Sequence, residues 1–250
     1  ETIFDYIDDY LQYTDSYFIN PGMPFLNQTH DNVIYTNSLL ILYLYKFAGN
    51  TPGIDFLRNV FENNYLKETP FHKNLRLTAL SMGKQWVDLL GDFHTNSFFS
   101  GTRADTNRFL NDAELYLQWN YQETNSSSGN LQKAVNPYGM ARFHFASRND
   151  HNDTLIISLK SVEQKYYSDP GRTWDASLII RKSTGDSIEP LHLDSLGNGT
   201  VSVPGWKSTD EIIVLVTNGH PSLKSDFAVS FQYCDVTYIA GSSQVIPADT

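Results

Sequence analysis

The spacing of apolar residues changes once along this 250-residue chain, and that change constrains the fold more than any other feature. Up to about residue 120 apolar side chains recur at threes and fours, the period of amphipathic helices. Beyond about residue 130 they alternate, the period of strands with one buried face. Ile3, Ile7, Tyr10, Leu11 and Phe18, with Asp5, Asp8, Asp9 and Asp15 among them, predict a first helix with an acidic outer face, stopped by Asn20-Pro21-Gly22-Met23-Pro24. A second is expected from Asp31 or Asn32 through Phe47, ending at Gly49; being apolar on nearly every side, it should be buried by the others. Thr51-Pro52 caps a third, with Phe56, Leu57, Val60 and Phe61 on its inner face. Leu75, Ala79, Leu80 and Met82 mark a fourth, interrupted at Gly83, and Trp86, Val87, Leu89, Leu90 and Phe93 a fifth. Asp105 to Gln118 is expected to form the last.

After Asn125-Ser126-Ser127-Ser128-Gly129-Asn130 the alternating runs begin: Phe143 and Phe145; Leu155, Ile157 and Leu159; Trp174, Ala176, Leu178 and Ile180; Ile212, Val214 and Val216; Phe227, Val229, Phe231 and Tyr233. Turn signals separate them at Asn149-Asp150, Asp169-Pro170-Gly171, Gly197-Asn198-Gly199, Pro204-Gly205 and Asn218-Gly219. Several short strands without helices between them predict an antiparallel sandwich. The expected class is therefore α+β: a helical subdomain over 1–124, a linker over 125–135, a jelly-roll or immunoglobulin-like β-sandwich over 136–241 and a tail over 242–250.

Charge and cysteine content remove several functions. The formal net charge is -10, from 28 acidic and 18 basic residues, and no Lys/Arg cluster is dense enough to neutralise a phosphate backbone, so nucleic acid is not an expected partner. Cys234 is the single cysteine, which excludes intrachain disulfides and cysteine-built zinc or iron–sulfur sites; in an alternating strand it reads as a small buried hydrophobe. The longest apolar run, Leu39 to Tyr45, is too short to span a bilayer. Only 18% of residues are charged, and a surface of uncharged polar residues fits a bacterial secreted or cell-surface protein. The sequons at Asn27, Asn125, Asn152 and Asn198 read as surface loops. A start on Glu1, without an initiator methionine or signal segment, points to a fragment of a longer protein.

No self-contained catalytic motif is present: no His-Glu-x-x-His, no Gly-x-Ser-x-Gly elbow, no phosphate-binding loop and no dinucleotide fingerprint. None of the seven histidines has another three or four residues away, the spacing that places two imidazoles on one helix face.

One stretch has a familiar pattern. His30-Asp-Asn-Val-Ile-Tyr35-Thr-Asn-Ser-Leu-Leu-Ile-Leu-Tyr-Leu-Tyr-Lys-Phe-Ala-Gly49, followed by Ile54-Asp-Phe-Leu-Arg-Asn-Val60, resembles the helical subdomain that follows the zinc motif in gluzincin metallopeptidases. Glu1-Thr-Ile-Phe-Asp-Tyr-Ile-Asp-Asp-Tyr10 and Phe98-Phe-Ser-Gly-Thr-Arg103-Ala-Asp105 extend the likeness to a group of secreted bacterial gluzincins in which a β-sandwich follows, here from Asn136-Pro-Tyr-Gly139. The resemblance implies a zinc metallopeptidase acting on protein or peptide, with the His-Glu-x-x-His helix and the glutamate ligand ahead of Glu1; Glu1 itself is not carried over as a ligand. It also implies that Tyr35 donates a phenolic hydrogen bond to the oxyanion, with His30 as a second candidate for that role. A phenol suits the task because it stabilises negative charge growing on a zinc-polarised carbonyl. The chain alone should be inactive and should depend on an upstream catalytic segment.

Other residues carry blander readings. Asp5, Asp8 and Asp9, or Asp150 and Asp153, could hold calcium, though solvated acids are the commoner case. Trp174 falls in register with core residues, whereas Trp206 is the better candidate for an exposed aromatic that stacks on sugar. Arg103 is expected to cap a helix or pair with Asp105 or Asp112. The competing functional readings are a cell-surface binding or adhesion module for glycan or protein, and a structural subunit of a surface layer or filament.

Overall fold

Helices form where the longer period predicts them. In the computed structural model, which describes residues 14–15, 17–19, 31–47, 53–67, 71–105, 107–108, 113–119, 129–146, 153–161, 173–221 and 225–234, α1 spans Asp31–Phe47, α2 Gly53–Lys67, α3 Phe71–Ser81 and α4 Trp86–Ser97. Thr14, Asp15, Tyr17, Phe18 and Ile19 are helical as well, while Asp5, Asp8 and Asp9 lie outside the described residues. The stop at Gly83 has a physical cause. Gly83 adopts φ 72°, its N–H donates to the Leu80 carbonyl at 3.0 Å, and the Lys84 N–H donates to the Ala79 carbonyl at 2.9 Å. This pair of bonds closes the end of α3 and needs a left-handed residue that glycine supplies without steric cost.

Two helical expectations are corrected. Helix α1 is not enclosed on all sides: Leu39, Leu40, Tyr43 and Leu44 are buried, but Tyr45 is 50% exposed, its polar tip suited to the surface. The most enclosed helix is α4. The segment Asp105 to Gln118 forms no α-helix among its described residues, only a short 3-10 turn at Ala113–Leu115. Asp105 Oδ1 accepts the Asn107 N–H at 3.0 Å, a local turn that competes with helix nucleation. The segment is then drawn inward: Ser100 Oγ donates to the Leu117 carbonyl at 2.9 Å, and the buried Trp119 meets Phe98 edge-on at 5.6 Å.

Eight strands follow among the described residues: β1 Gly129–Val135, β2 Met140–Ala146, β3 Thr154–Ser161, β4 Trp174–Arg181, β5 Ser187–Pro190, β6 Gly199–Pro204, β7 Glu211–Asn218 and β8 Ser225–Cys234. Residues 129–135, expected as linker, are thus an edge strand, paired with β8 from Gly129↔Phe231 to Val135↔Ser225. All pairings are antiparallel, and the two four-stranded sheets have the orders β1-β8-β3-β6 and β2-β7-β4-β5. Every connection except β4–β5 crosses between sheets, the connectivity of an eight-stranded jelly roll. Phe143, Phe145, Leu155, Ile157, Trp174, Leu178, Trp206, Val214 and Phe227 fill the space between the sheets.

The second face of the β2-β7-β4-β5 sheet is also covered. Met140 from β2, Ile179 from β4, and Ile213 and Leu215 from β7 join one core with α4, α1 and α2. Strands β4 and β7 are therefore buried on both faces, not half-buried as simple alternation predicts, and the molecule has three layers: helices, shared sheet, second sheet. Each fully buried aliphatic or aromatic side chain in such a seam contributes about 1.5–3 kcal/mol.

A tight turn joins β1 to β2 at the edge of this seam. The Gly139 N–H donates to the Asn136 carbonyl at 3.0 Å, Pro137 takes the second position, and Tyr138 takes the third with φ 53°. A left-handed tyrosine costs on the order of 1–3 kcal/mol. The cost is offset by its burial in the helical core, where its ring meets Trp86 edge-on at 5.9 Å.

Close approach of α4 to the sheet also fixes small residues. A Cβ on Gly219 would lie 2.7 Å from the Val87 Cβ and 3.2 Å from the Thr173 carbonyl oxygen. Neither neighbour is a flexible side-chain end, so Gly219→Ala should destabilise the protein by about 1–3 kcal/mol. In a chemical-denaturation cycle, Val87→Ala should cost less in the Gly219→Ala background than alone. Strictly additive effects would show that the steric clash is relieved elsewhere.

Candidate functional site

Tyr35 stands in the second turn of α1, four residues before buried Leu39, on the helix that α2 and α4 hold in place. His30 lies outside the described residues, as do Asp112, Asp150, Asn27, Asn125 and Asn152. Among the described residues no group of three or more His, Cys, Asp or Glu side chains could hold a metal ion, so a zinc or calcium ligand set would have to draw on other residues. No described helix is long and apolar enough to cross a membrane.

The remaining candidates take structural places. Trp174 is in the sandwich core, as its register predicts. Trp206 is not exposed: it is fully buried in the same core, held by a backbone N–H that donates to the Asp153 carbonyl at 2.8 Å and preceded by left-handed Gly205. Pro204-Gly205 turns the chain inward there instead of presenting the ring. With Trp86 and Trp119 also buried, all four tryptophans are interior. The guanidinium of Arg103 lies 4.6 Å from the Phe98 ring centre, and Asp105 bridges Arg108 at 3.3 Å. Arg108 in turn stacks on Phe99 at 3.8 Å and donates to Asn96 Oδ1 at 3.1 Å. Thus the stretch that closes the helical part is a pair of phenylalanines roofed by two arginines. Cys234 ends β8 opposite Thr154. Asn198 Nδ2 donates to Asp194 Oδ2 at 3.2 Å in a loop where Asp194 Oδ1 also accepts the N–H groups of Leu196 and Asn198, each at 2.8 Å; these bonds hold the Asp194 carboxyl below its ordinary value.

Two polar constellations were not legible in the sequence. The first lies inside the seam. His94, fully buried on α4, accepts at Nδ1 from the Tyr17 hydroxyl at 2.8 Å and donates from Nε2 to the Tyr138 carbonyl at 3.3 Å, an arrangement that assigns the proton to Nε2. Tyr17 stacks on its ring with centroids 5.9 Å apart. At the next residue, Thr95 Oγ1 and Ser177 Oγ on β4 share a hydrogen bond of 2.8 Å. Loss of hydration pushes the imidazole down to about 3, against a smaller opposing effect from the Tyr138 carbonyl, and burial pushes the Tyr17 phenol up. The pair is neutral and structural: it ties the N-terminal helical residues to the β1–β2 turn.

The second constellation ends the helix-facing side of the shared sheet. Glu211 on β7 receives His144 Nε2 from β2 at 2.6 Å and Arg181 Nη1 from β4 at 2.5 Å, while Arg181 Nε reaches Asp186 at 3.3 Å. A carboxylate engaged on both oxygens by an imidazole and a guanidinium is a clamp across three strands. The outer face of the other sheet is mostly uncharged: it carries Gln132, Ser158, Thr200, Ser202 and Ser230 beside the exposed Lys160, and Ser158 and Thr200 share a hydrogen bond of 3.0 Å.

No family model matches the sequence, and no curated protein matches it. Among solved structures, a mitogen derived from Yersinia pseudotuberculosis aligns with 48% of this chain and 97% of its own, at 9% identity and a TM-score of 0.29. Carbohydrate-binding modules of the β-sandwich superfamily align over 44% of this chain and 55% of theirs, at 2% identity and 0.26. A family GH115 4-O-methyl-α-glucuronidase with specificity for decorated arabinogalactans aligns over 91% of this chain and 38% of its own, at 6% identity and 0.25. Likeness at this level decides nothing about function.

The buried imidazole generates a pH prediction. Its folded-state value lies below the unfolded one, so the unfolded chain takes up the proton first. The stability that neutral His94 contributes is fully present above about pH 6.5 and is lost as pH falls toward 3, with a slope of up to about 1.4 kcal/mol per unit. His94→Gln, which does not titrate, should be less stable than the parent at pH 7 yet show a shallower decline between about pH 6.5 and 4 in denaturant titrations. An equal slope in both proteins would mean that other groups account for the acid sensitivity.

Proposed function

We propose that this chain is the C-terminal portion of a secreted, zinc-metallopeptidase-like protein, in which the helices form one wall of the active-site cleft and the jelly roll is an accessory domain that braces that wall. The observation that carries the reading is α1. It runs from Asp31 to Phe47, with Tyr35 in its second turn and its C-terminal half clamped by Leu39, Leu40, Tyr43 and Leu44 in the helical core. A side chain that must meet a developing oxyanion needs a rigid element behind it. Here that element is backed by α4 and, through α4, by a sheet buried on both faces. The catalytic metal and its ligands belong, on this reading, to an upstream segment of the same protein; the substrate is protein or peptide, and the chain alone is inactive.

The alternatives are a glycan- or protein-binding module at the cell surface and a structural subunit of a surface layer or filament. Burial of all four tryptophans weighs against a sugar-stacking platform built on them.

In the protein with its upstream segment intact, zinc should co-purify and chelation should abolish peptide hydrolysis. Tyr35→Phe should lower kcat by roughly 100-fold with little change in KM, the signature of a donor that acts on the transition state. An upstream sequence without His-Glu-x-x-His, or a Tyr35→Phe enzyme of unchanged kcat, would remove the respective part of the proposal.

A further inference from the structure

Helix α3 departs from the electrostatics of the rest of the chain. Residues 1–130 carry 15 acidic and 8 basic side chains, yet Thr69 to Val87 contains no acid, three of those basic residues (Lys73, Arg76 and Lys84) and His72. The helix is also sharply two-sided. Asn74, Leu75, Thr78 and Ala79 are buried against the helical core. At 100° per residue His72, Arg76, Leu80, Lys73 and Leu77 fall, in that angular order, within a single 140° arc on the other side. Within that arc His72, Lys73 and Leu77 are exposed and Arg76 and Leu80 half-buried, with Leu77 at 45% exposure. The solvent face of α3 is therefore a short apolar ridge framed by the cations Lys73 and Arg76 and by the His72 imidazole. Those groups act on one another: the His72 imidazole is held below its ordinary value, first by partial burial and then by Arg76 and Lys73.

We propose that this face of α3 is a docking surface for an acidic amphipathic polypeptide segment, whose apolar side chains cover Leu77 and Leu80 while its carboxylates meet Lys73, Arg76 and His72. Charge complementarity selects this occupant. A protein of net charge -10 is repelled as a whole from an anionic membrane or a nucleic acid, which meets a broad area of its surface. A single peptide segment meets only the basic arc. The ridge also lacks the Trp and Phe anchors that basic membrane-surface helices use, and two leucines at i and i+3 suit the face of another helix. The site is independent of the peptidase reading, because it needs neither Tyr35 nor a metal.

The test uses the whole chain and a labelled 16-residue peptide with Leu at i, i+3, i+4 and i+7 and Glu at the flanking positions, followed by fluorescence anisotropy. Saturable binding is expected, weakening roughly tenfold between low and physiological-plus salt as exposed charge pairs are screened. The double reversal Lys73→Glu/Arg76→Glu should lower affinity by about tenfold or more, and Leu77→Ser by several-fold, with the circular-dichroism spectrum of the folded chain retained. No saturable binding, or binding that survives the double reversal, overturns the proposal. So does preferential, Lys73/Arg76-dependent binding of phosphatidylserine vesicles or duplex DNA over the peptide, which would assign the face to those partners instead.

Discussion

Everything in this molecule rests on a sheet that is dry on both sides. Strand β7 supplies Ile212, Val214 and Val216 to the space between the sheets and Ile213 and Leu215 to the helical core, and β4 beside it does the same with Leu178 and Ile179. A strand with no solvent face has no polar side to spend, so its hydrogen bonds must be complete within the sheet. Antiparallel pairing of β7 with β2 on one side and β4 on the other meets that demand. Helix and sandwich cannot be separated here without exposing one of those faces, so the helical layer and the jelly roll are held together by shared core.

Several polar groups enter the seam in matched sets. Thr95 meets Ser177, His94 meets Tyr17 and the Tyr138 carbonyl, and Glu211 receives both His144 and Arg181. An apolar seam of this area could slide; hydroxyl, imidazole and carboxylate partners at fixed positions favour one register, because a shifted register leaves a buried polar group without its bond. The left-handed Tyr138 belongs to the same logic, since in that backbone conformation its ring joins the helical core.

Much of this was legible in the amino-acid order. The period change placed the helix-to-strand transition, and Gly83 marked a true helix end. The unbroken run Ile212-Ile213-Val214-Leu215-Val216 held the sign of two-sided burial, although alternation alone read it as half-buried. What stayed hidden depends on partners far away in sequence. His94 finds Tyr17 77 residues upstream and Tyr138 44 residues downstream, and a lone histidine on a helix carries no trace of either. Asp105 to Gln118 had helical spacing, but a local Asx turn and docking on Phe98 and Phe99 outweighed propensity. The polar run that continues into Gly129 and Asn130 hides the strand that follows, whose Leu131 and Val135 face the sandwich core. The role proposed for Tyr35 has no signal in periodicity and stands on the resemblance alone.

The strand order has a consequence for how the chain must be made. Apart from β4 and β5, neighbours in sequence are not neighbours in the sheets: β1 lies against β8 and β2 against β7, so the first two strands wait for the last two. The helices wait with them, because Ile213 and Leu215, which roof their core, emerge from the ribosome more than 110 residues after α4 ends at Ser97. During synthesis the helical half therefore carries an uncovered apolar face until most of the chain exists. A ribosome that stalls within the sandwich would leave that face bare, and a nascent chain of this design depends on holding factors or rapid completion to stay out of aggregates.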